Sequence, residues 1–301
     1  MKWSLLLCVL AMSLAGPGRA ADPPSNTVIP LWPSGAPDAR TDLGPEIDTT
    51  TPADGVTGGR RVTRLSNVTA PSLTLYRPAQ PNPTRSAVVV FPGGGYRILA
   101  IDLEGTEICD WLNSVGITAV LLKYRVPESP NVPRYQAPLQ DAQRALGIVR
   151  SHAADWNLDP QRIGILGFSA GGHLAATLNQ HFAERTYPRV DNADDLNCRP
   201  DFTVLVYPAY LSVEDKGEQI APEVAPTSGM PPLFIVQAED DRSFIQGTLL
   251  YYRSLVAAKA PAELHIYETG GHGYGLRPAD APVTGWPHLV EAWLRLHHLI
   301  Q

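Results

Sequence analysis

"GILGFSAGGHLAATLNQ", Gly164 to Gln180, is the stretch whose reading decides the fold of this chain. It closes a strand-like apolar run, "RIGIL", sets one serine between glycines two residues away on either side, and continues in the helix formers "HLAATLNQ". Gly167-Phe168-Ser169-Ala170-Gly171 fits G-x-S-x-G in the strand, turn, helix context that gives the pattern meaning. A strand that turns sharply into a helix strains the residue at the corner, and the flanking glycines leave room for it. The helix start just beyond presents free N–H groups and a partial positive charge to any negative charge developing beside the serine. Ser169 is therefore a candidate nucleophile, and Ala170 the residue whose N–H follows it.

Working outward, the chain after Ser86 alternates strand-like and helix-like segments. "AVVVF" (Ala87 to Phe91) and "TAVLLKY" (Thr118 to Tyr124) are apolar, β-branched runs suited to strands covered on both faces. "FTVLVYP", "PLFIVQA" and "ELHIYE" continue the series. Between them fall amphipathic segments: "EGTEICDWLNSVG", ended by Gly116, then "QDAQRALGIVRSHAADW", Gly172 to Phe182, Gln246 to Ala258 and Trp286 to Leu299. Such alternation predicts an α/β fold with a mostly parallel sheet and helices on both faces, its site in the loops at the carboxyl ends of the strands. Upstream, "RRVTRLSNVT" and "SLTLYRP" suggest an antiparallel pair at the sheet edge, and residues 21–57 an extended arm on the surface. Residues 58–301 are expected to form one domain. Pro208 to Pro232 is longer than an ordinary connection, as functional lids and disordered loops are.

A serine hydroxyl is a poor nucleophile until a base takes its proton. Of eight histidines, His272 alone lies in a glycine-dense loop, "ETGGHGYGL", directly after a strand. His173 lies too close along the new helix, His265 falls within a strand, His288 starts a helix, and His152, His181, His297 and His298 sit on helices. The base needs a carboxylate to fix its tautomer. Glu239, Asp240 and Asp241 compete at the end of "PLFIVQA"; Asp241 is favoured because it lies beyond the strand end, with Asp240 the alternative, whose other role is to cap or to pair with Arg242. Pro92-Gly93-Gly94-Gly95 follows a strand, and backbone free of side chains there can approach a substrate carbonyl and donate an N–H to an oxyanion.

Composition narrows the partners. The chain has 301 residues, 44% of them hydrophobic, and a formal charge of -6 with its basic residues scattered, which gives no footprint for nucleic acid. Lys2, the apolar run Trp3 to Leu14 and Gly18-Arg19-Ala20 read as a signal peptide, residues 1–20, cleaved after Ala20, too short for a stable membrane anchor. The expected location is secreted or periplasmic. Cys8 leaves with that segment, while the spacing of Cys109 and Cys198 leaves their pairing open. No CxxC or HExxH pattern points to a metal.

The order Ser169, Asp241, His272 is the nucleophile, acid, base order of α/β-hydrolases. The chain resembles an α/β-hydrolase esterase, and more narrowly the bacterial acetyl xylan esterase-like and feruloyl esterase-like group. The resemblance rests on "IPLWPSGAP", "PGGGYRILAIDLEGTEICDWLNSVGITAVLLKYRVP", "DAQRALGIVRSHAADWNLDPQRIGILGFSAGGHLAA", "ELHIYETGGHGYGLRP" and "WPHLVEAWL". It implies the α/β-hydrolase fold, no cofactor, Ser169 as nucleophile, His272 as base, Asp241 as acid, and Ala170, Gly94 and Gly95 as oxyanion donors. The implied substrate is acetylated or feruloylated plant polysaccharide or oligosaccharide of the xylan type. Gln237-Ala238 stand where many relatives carry His-Gly or His-Ala, and Phe244 where valine is frequent; neither departure is expected to touch the chemistry directly. Tyr96, Tyr207, Tyr210 and Tyr274 lie near strand ends, where each either stacks on a sugar or packs. Rival readings are a general carboxylesterase of small esters, a catalytically silent carbohydrate-binding relative and a serine peptidase.

Overall fold

In the computed structural model, which describes residues 24–213 and 219–301, the apolar runs pair into one eight-stranded sheet. Its strands are β1 (Thr27–Pro30), β2 (Ser72–Tyr76), β3 (Ala87–Phe91), β4 (Thr118–Lys123), β5 (Ile163–Phe168), β6 (Thr203–Val206), β7 (Leu233–Ala238) and β8 (Ala262–Tyr267). Their spatial order is β1-β2-β4-β3-β5-β6-β7-β8. The six strands from β4 to β8 along that order are mutually parallel, and β2 runs antiparallel to both of its neighbours. The expected α/β fold is thus observed, with helices α1 (Glu107–Ser114), α2 (Gln136–Ser151), α3 (Ala170–His181), α4 (Ile245–Ala257) and α5 (Trp286–Leu296).

The period of two along a strand explains why the central runs are apolar at every position. On β3, Val89 and Phe91 join the core shared with α2, α3 and α4, while Val88 and Val90 join the core shared with α1 and α5. Each face is sealed by helices, so neither set of side chains meets water. Cys198 belongs to the first core and Cys109 to the second, and both are buried free thiols rather than a disulfide. Among the described residues no helix is long and apolar enough to cross a membrane.

Two expectations at the N-terminal side are corrected. Arg64–Ser66 does not pair with Ser72–Tyr76: it forms a small separate sheet between Ile47–Asp48 and Leu99–Ala100, and β2 inserts instead between β1 and β4. Alternation marks a run as a strand without saying which edge it meets. The arm does not merely lie on the surface either. Its Thr27–Pro30 becomes the outermost strand, and Leu31 and Trp32 behind it are buried. Trp32 Nε1 donates to Asp141 at 2.8 Å, and Arg125 reaches the same carboxylate through its backbone N–H at 2.9 Å and its Nε at 3.0 Å. Arg144 Nε donates to the Leu31 carbonyl at 3.1 Å. Buried polar groups must find partners, and these fasten the arm to α2.

The expected signal peptide with Cys8, residues 21–23 of the arm and residues 214–218 of the long loop lie outside the described residues. The described parts of that loop carry a bridge between Ser212 and Ile220 and a turn at Pro222–Val224 whose Glu223 meets α3.

Candidate active site

β5 ends at Phe168 and α3 begins at Ala170, so Ser169 is the corner, with φ 51° and ψ -117°. That backbone is strained for any residue with a side chain, and packing holds it in place. The Ser169 N–H donates to the Val206 carbonyl at 3.1 Å, and the Ser169 carbonyl accepts from Ala209 and His173, each at 3.0 Å. The flanking glycines are demanded by contact. A Cβ on Gly167 would stand 2.2 Å from the Gly171 carbonyl oxygen, and one on Gly171 would stand 2.1 Å from that of Phe91.

Parallel strands deliver the other two members to the same edge. His272, on the loop after β8, has its Nε2 2.8 Å from Ser169 Oγ and its Nδ1 2.7 Å from Asp241 Oδ2. Asp241, beyond β7, is only 4% exposed. A carboxylate can only accept, so Nδ1 carries the proton and the Nε2 lone pair faces the serine hydroxyl. Asp240 does something else: its oxygens accept from the N–H groups of Gly270 at 3.2 Å and Gly271 at 2.7 Å, which hold its carboxyl below the usual range. It fixes the loop that presents His272, whereas Arg242 pairs with Glu239. The two aspartates divide the work of holding and orienting the histidine.

The glycine loop after β3 lies against this pair. Gly94 has φ +130°, and a Cβ there would fall 2.1 Å from the Ile98 carbonyl oxygen; at Gly93 it would fall 2.7 Å from Ser169 Cβ. Gly95 has φ +64° and lies beside the Tyr210 hydroxyl. Ala170 occupies the first position of α3, where an N–H has no intrahelical carbonyl to meet. All six predicted site residues therefore come from segments that converge on Ser169. The arrangement lines up a hydroxyl, an imidazole and a buried carboxylate, with glycine backbone approaching from the side.

Several residues of the site were not legible in the sequence. Glu104, 4% exposed, accepts from the Gly93 N–H at 2.7 Å and from the Tyr207 hydroxyl at 2.9 Å. The available signal was the Glu104-Gly105 step, a glycine inside a helix-like pattern. Phe244, expected to stay clear of the chemistry, packs its ring 4.9 Å from that of His272, and Tyr210 packs on Phe244 at 5.6 Å. Of the four tyrosines, Tyr96, Tyr207 and Tyr274 are buried, which leaves Tyr210 partly exposed, under the Arg134 guanidinium at 4.5 Å. His173 is buried among them. The Tyr96 hydroxyl lies 2.8 Å from its Nδ1 and Glu223 Oε1 lies 3.3 Å from its Nε2, and burial lowers its pKa, so it packs as a neutral ring and is no base for the serine.

A family model described as alpha/beta hydrolase fold matches residues 88–226. The carboxylesterase NlhH of Mycobacterium tuberculosis is 30% identical over 66% of this chain and 70% of its own length. This chain belongs to the α/β-hydrolase family. The acetylxylan esterase of Xylanibacter ruminicola is also 30% identical to this α/β-hydrolase, over 64% of the chain, which spans 42% of that longer protein. Among solved structures, the acetyl ester-xyloside bifunctional hydrolase from Caldicellulosiruptor lactoaceticus superposes with a TM-score of 0.69 at 33% identity, covering 92% of this chain and 98% of that one.

Proposed function

We propose that this α/β-hydrolase is a serine carbohydrate esterase that removes acetyl or feruloyl groups from xylan-type polysaccharide or oligosaccharide. The observation that carries the reading is the unbroken line from Ser169 Oγ through His272 to Asp241, at 2.8 and 2.7 Å. In this mechanism His272 Nε2 takes the serine proton as Oγ bonds to the ester carbonyl carbon. The negative oxygen of the tetrahedral adduct accepts N–H groups from Ala170 and from Gly94 or Gly95, each contributing about 3 kcal/mol. Collapse breaks the bond to the alcohol oxygen, which leaves with the proton from His272. Water, deprotonated by the same nitrogen, then releases the acid and restores Ser169.

The names of the acetylxylan esterase and acetyl ester-xyloside hydrolase relatives support a sugar on the alcohol side. So does a polar cavity of about 300 Å³ beside Tyr210, lined also by Arg134, His173, Ser212 and Glu223. A second reading, a carboxylesterase of small esters, is favoured by the burial of three of the four tyrosines, which leaves a short aromatic platform. The deciding experiment measures acetate release from acetylated xylan beside 4-nitrophenyl acetate, with Ser169→Ala as control. Release from both, lost in the variant, supports the carbohydrate esterase; turnover of the aryl ester alone would replace it with the second reading. We propose in addition that the chain is exported with cleavage after Ala20, on the pattern of Lys2, the apolar run and Gly18-Arg19-Ala20. Recovery of exported protein that still begins at Met1 would overturn this.

A further inference from the structure

Glu104 sits on a turn of π-helix, Asp102–Thr106, immediately before α1, a local widening that recurs at functional sites. The carboxylates on either side of it, Asp102 and Glu107, are both taken up by Arg277, at 2.7 and 2.8 Å. Glu104 instead turns inward beneath the site. Its Oε2 holds the Gly93 N–H, and Gly93 abuts Ser169; its Oε1 holds the Tyr207 hydroxyl. Tyr207 has φ +38°, packs its ring edge-on 5.0 Å from His272, and accepts the Gly275 N–H at 3.2 Å on the loop that carries the histidine. One carboxylate thus ties together the glycine loop, the end of β6 and the loop of the base.

The hydrogen bonds favour the ionised form. The Gly93 N–H and the Tyr207 hydroxyl each meet a carboxylate oxygen while the Gly275 N–H meets the Tyr207 oxygen, whereas a proton on Oε1 directed at Tyr207 would leave the Tyr207 hydrogen without its partner. Burial holds the Glu104 carboxyl above its usual range, and the His272 imidazole, the Tyr207 hydroxyl and the Gly93 N–H offset that rise only in part. Besides these, the titratable groups facing it are Tyr124, whose own pKa is raised by burial and then by this charge, and Asp102 on the same turn.

We propose that Glu104 is a positioning residue that acts as an ionised carboxylate, fixing the glycine loop against Ser169 and favouring the imidazolium form of His272. This inference rests on the serine-hydrolase reading of the triad. Asp241 orients the ring from its Nδ1 side, and Glu104 adds a field from below that strengthens as the imidazole becomes charged.

The test compares Glu104→Gln with the parent on 4-nitrophenyl acetate across pH. The amide keeps the shape, but it removes the charge and can accept only one of the two donors. We expect kcat to fall about 10- to 100-fold with KM within about three-fold. The acidic limb of kcat/KM should move to lower pH, because a negative charge beside the site is lost. Glu104→Asp, which keeps the charge, should leave the limb in place. A limb unmoved in Glu104→Gln would overturn the proposal whatever happens to the rate. Should that variant not fold, Tyr207→Phe carries the test: a kcat loss of about five-fold or more at unchanged KM supports the proposal, and an unchanged kcat overturns it. Labelling of the parent by a serine-directed phosphonate, absent in Ser169→Ala, is read separately. Its failure would remove the triad reading itself.

Discussion

Asp141 and Glu104 are both sealed inside this protein and are satisfied in opposite ways. Asp141, with no exposed surface, faces the Arg125 guanidinium at 2.9 Å and the Trp32 indole, so a permanent positive charge and a stiff donor absorb its field. Glu104 is almost as deeply buried, yet its hydrogen bonds come from a backbone N–H and a phenol. A carboxylate tied to a guanidinium has little field left for anything else, and it serves to hold the arm, α2 and the end of β4 together. A carboxylate satisfied by neutral groups keeps its field for a charge that appears only during turnover. Burial alone does not tell a structural acid from one that serves a reaction; the partner does.

The comparison breaks most visibly if one change damages both regions. Ser169→Ala should lower kcat on 4-nitrophenyl acetate by about 10⁵-fold or more while leaving the unfolding midpoint in place, as circular dichroism would show. Asp141→Ala should do the reverse. It strands Arg125 in the interior and should cost about 3–5 kcal/mol in urea unfolding, with kcat per phosphonate-titrated site within about two-fold. A midpoint that survived this loss would mean that the arm is held by its apolar contacts and not by the ion pair.

A smaller effect sharpens the boundary between the regions. Burial lowers the His173 pKa, so the folded state holds this ring neutral where the unfolded chain, near pH 6.5, begins to take up a proton. The unfolded state then binds more protons, and stability is full above that range and falls as pH drops below it. Urea midpoints at pH 7.5 and 5.5 should differ in this sense, and His173→Gln should flatten the slope without shifting the acidic limb of kcat/KM. The smallest expected change is a gain. Ser169→Gly relieves the strained corner and should stabilise the fold by about 1 kcal/mol, read from the same titrations, at the expense of all turnover.

The central parallel strands were legible because their runs are apolar on both faces, and the elbow, His272 and Asp241 because each is announced by a glycine or a strand end close by in sequence. What escaped depends on distant pairing. Thr27–Pro30 is too short, and only alternately half-buried, to show that it joins β2. Glu104 read as an acid near a helix start, and nothing local tells that its neighbours pair with Arg277 while it faces Gly93 and Tyr207. The division of labour between Asp240 and Asp241 likewise turns on where the loop after β8 returns.

The strand order carries one more consequence, in the timing of synthesis. Ser169 leaves β5 near the middle of the chain, whereas His272 follows β8, the last strand to be made, and its loop is steadied by Trp286, whose Nε1 donates to the Gly275 carbonyl at 2.8 Å. In the triad reading, a chain that stops short of β8 carries the serine without its base. The sheet must then be finished before Ser169 can react.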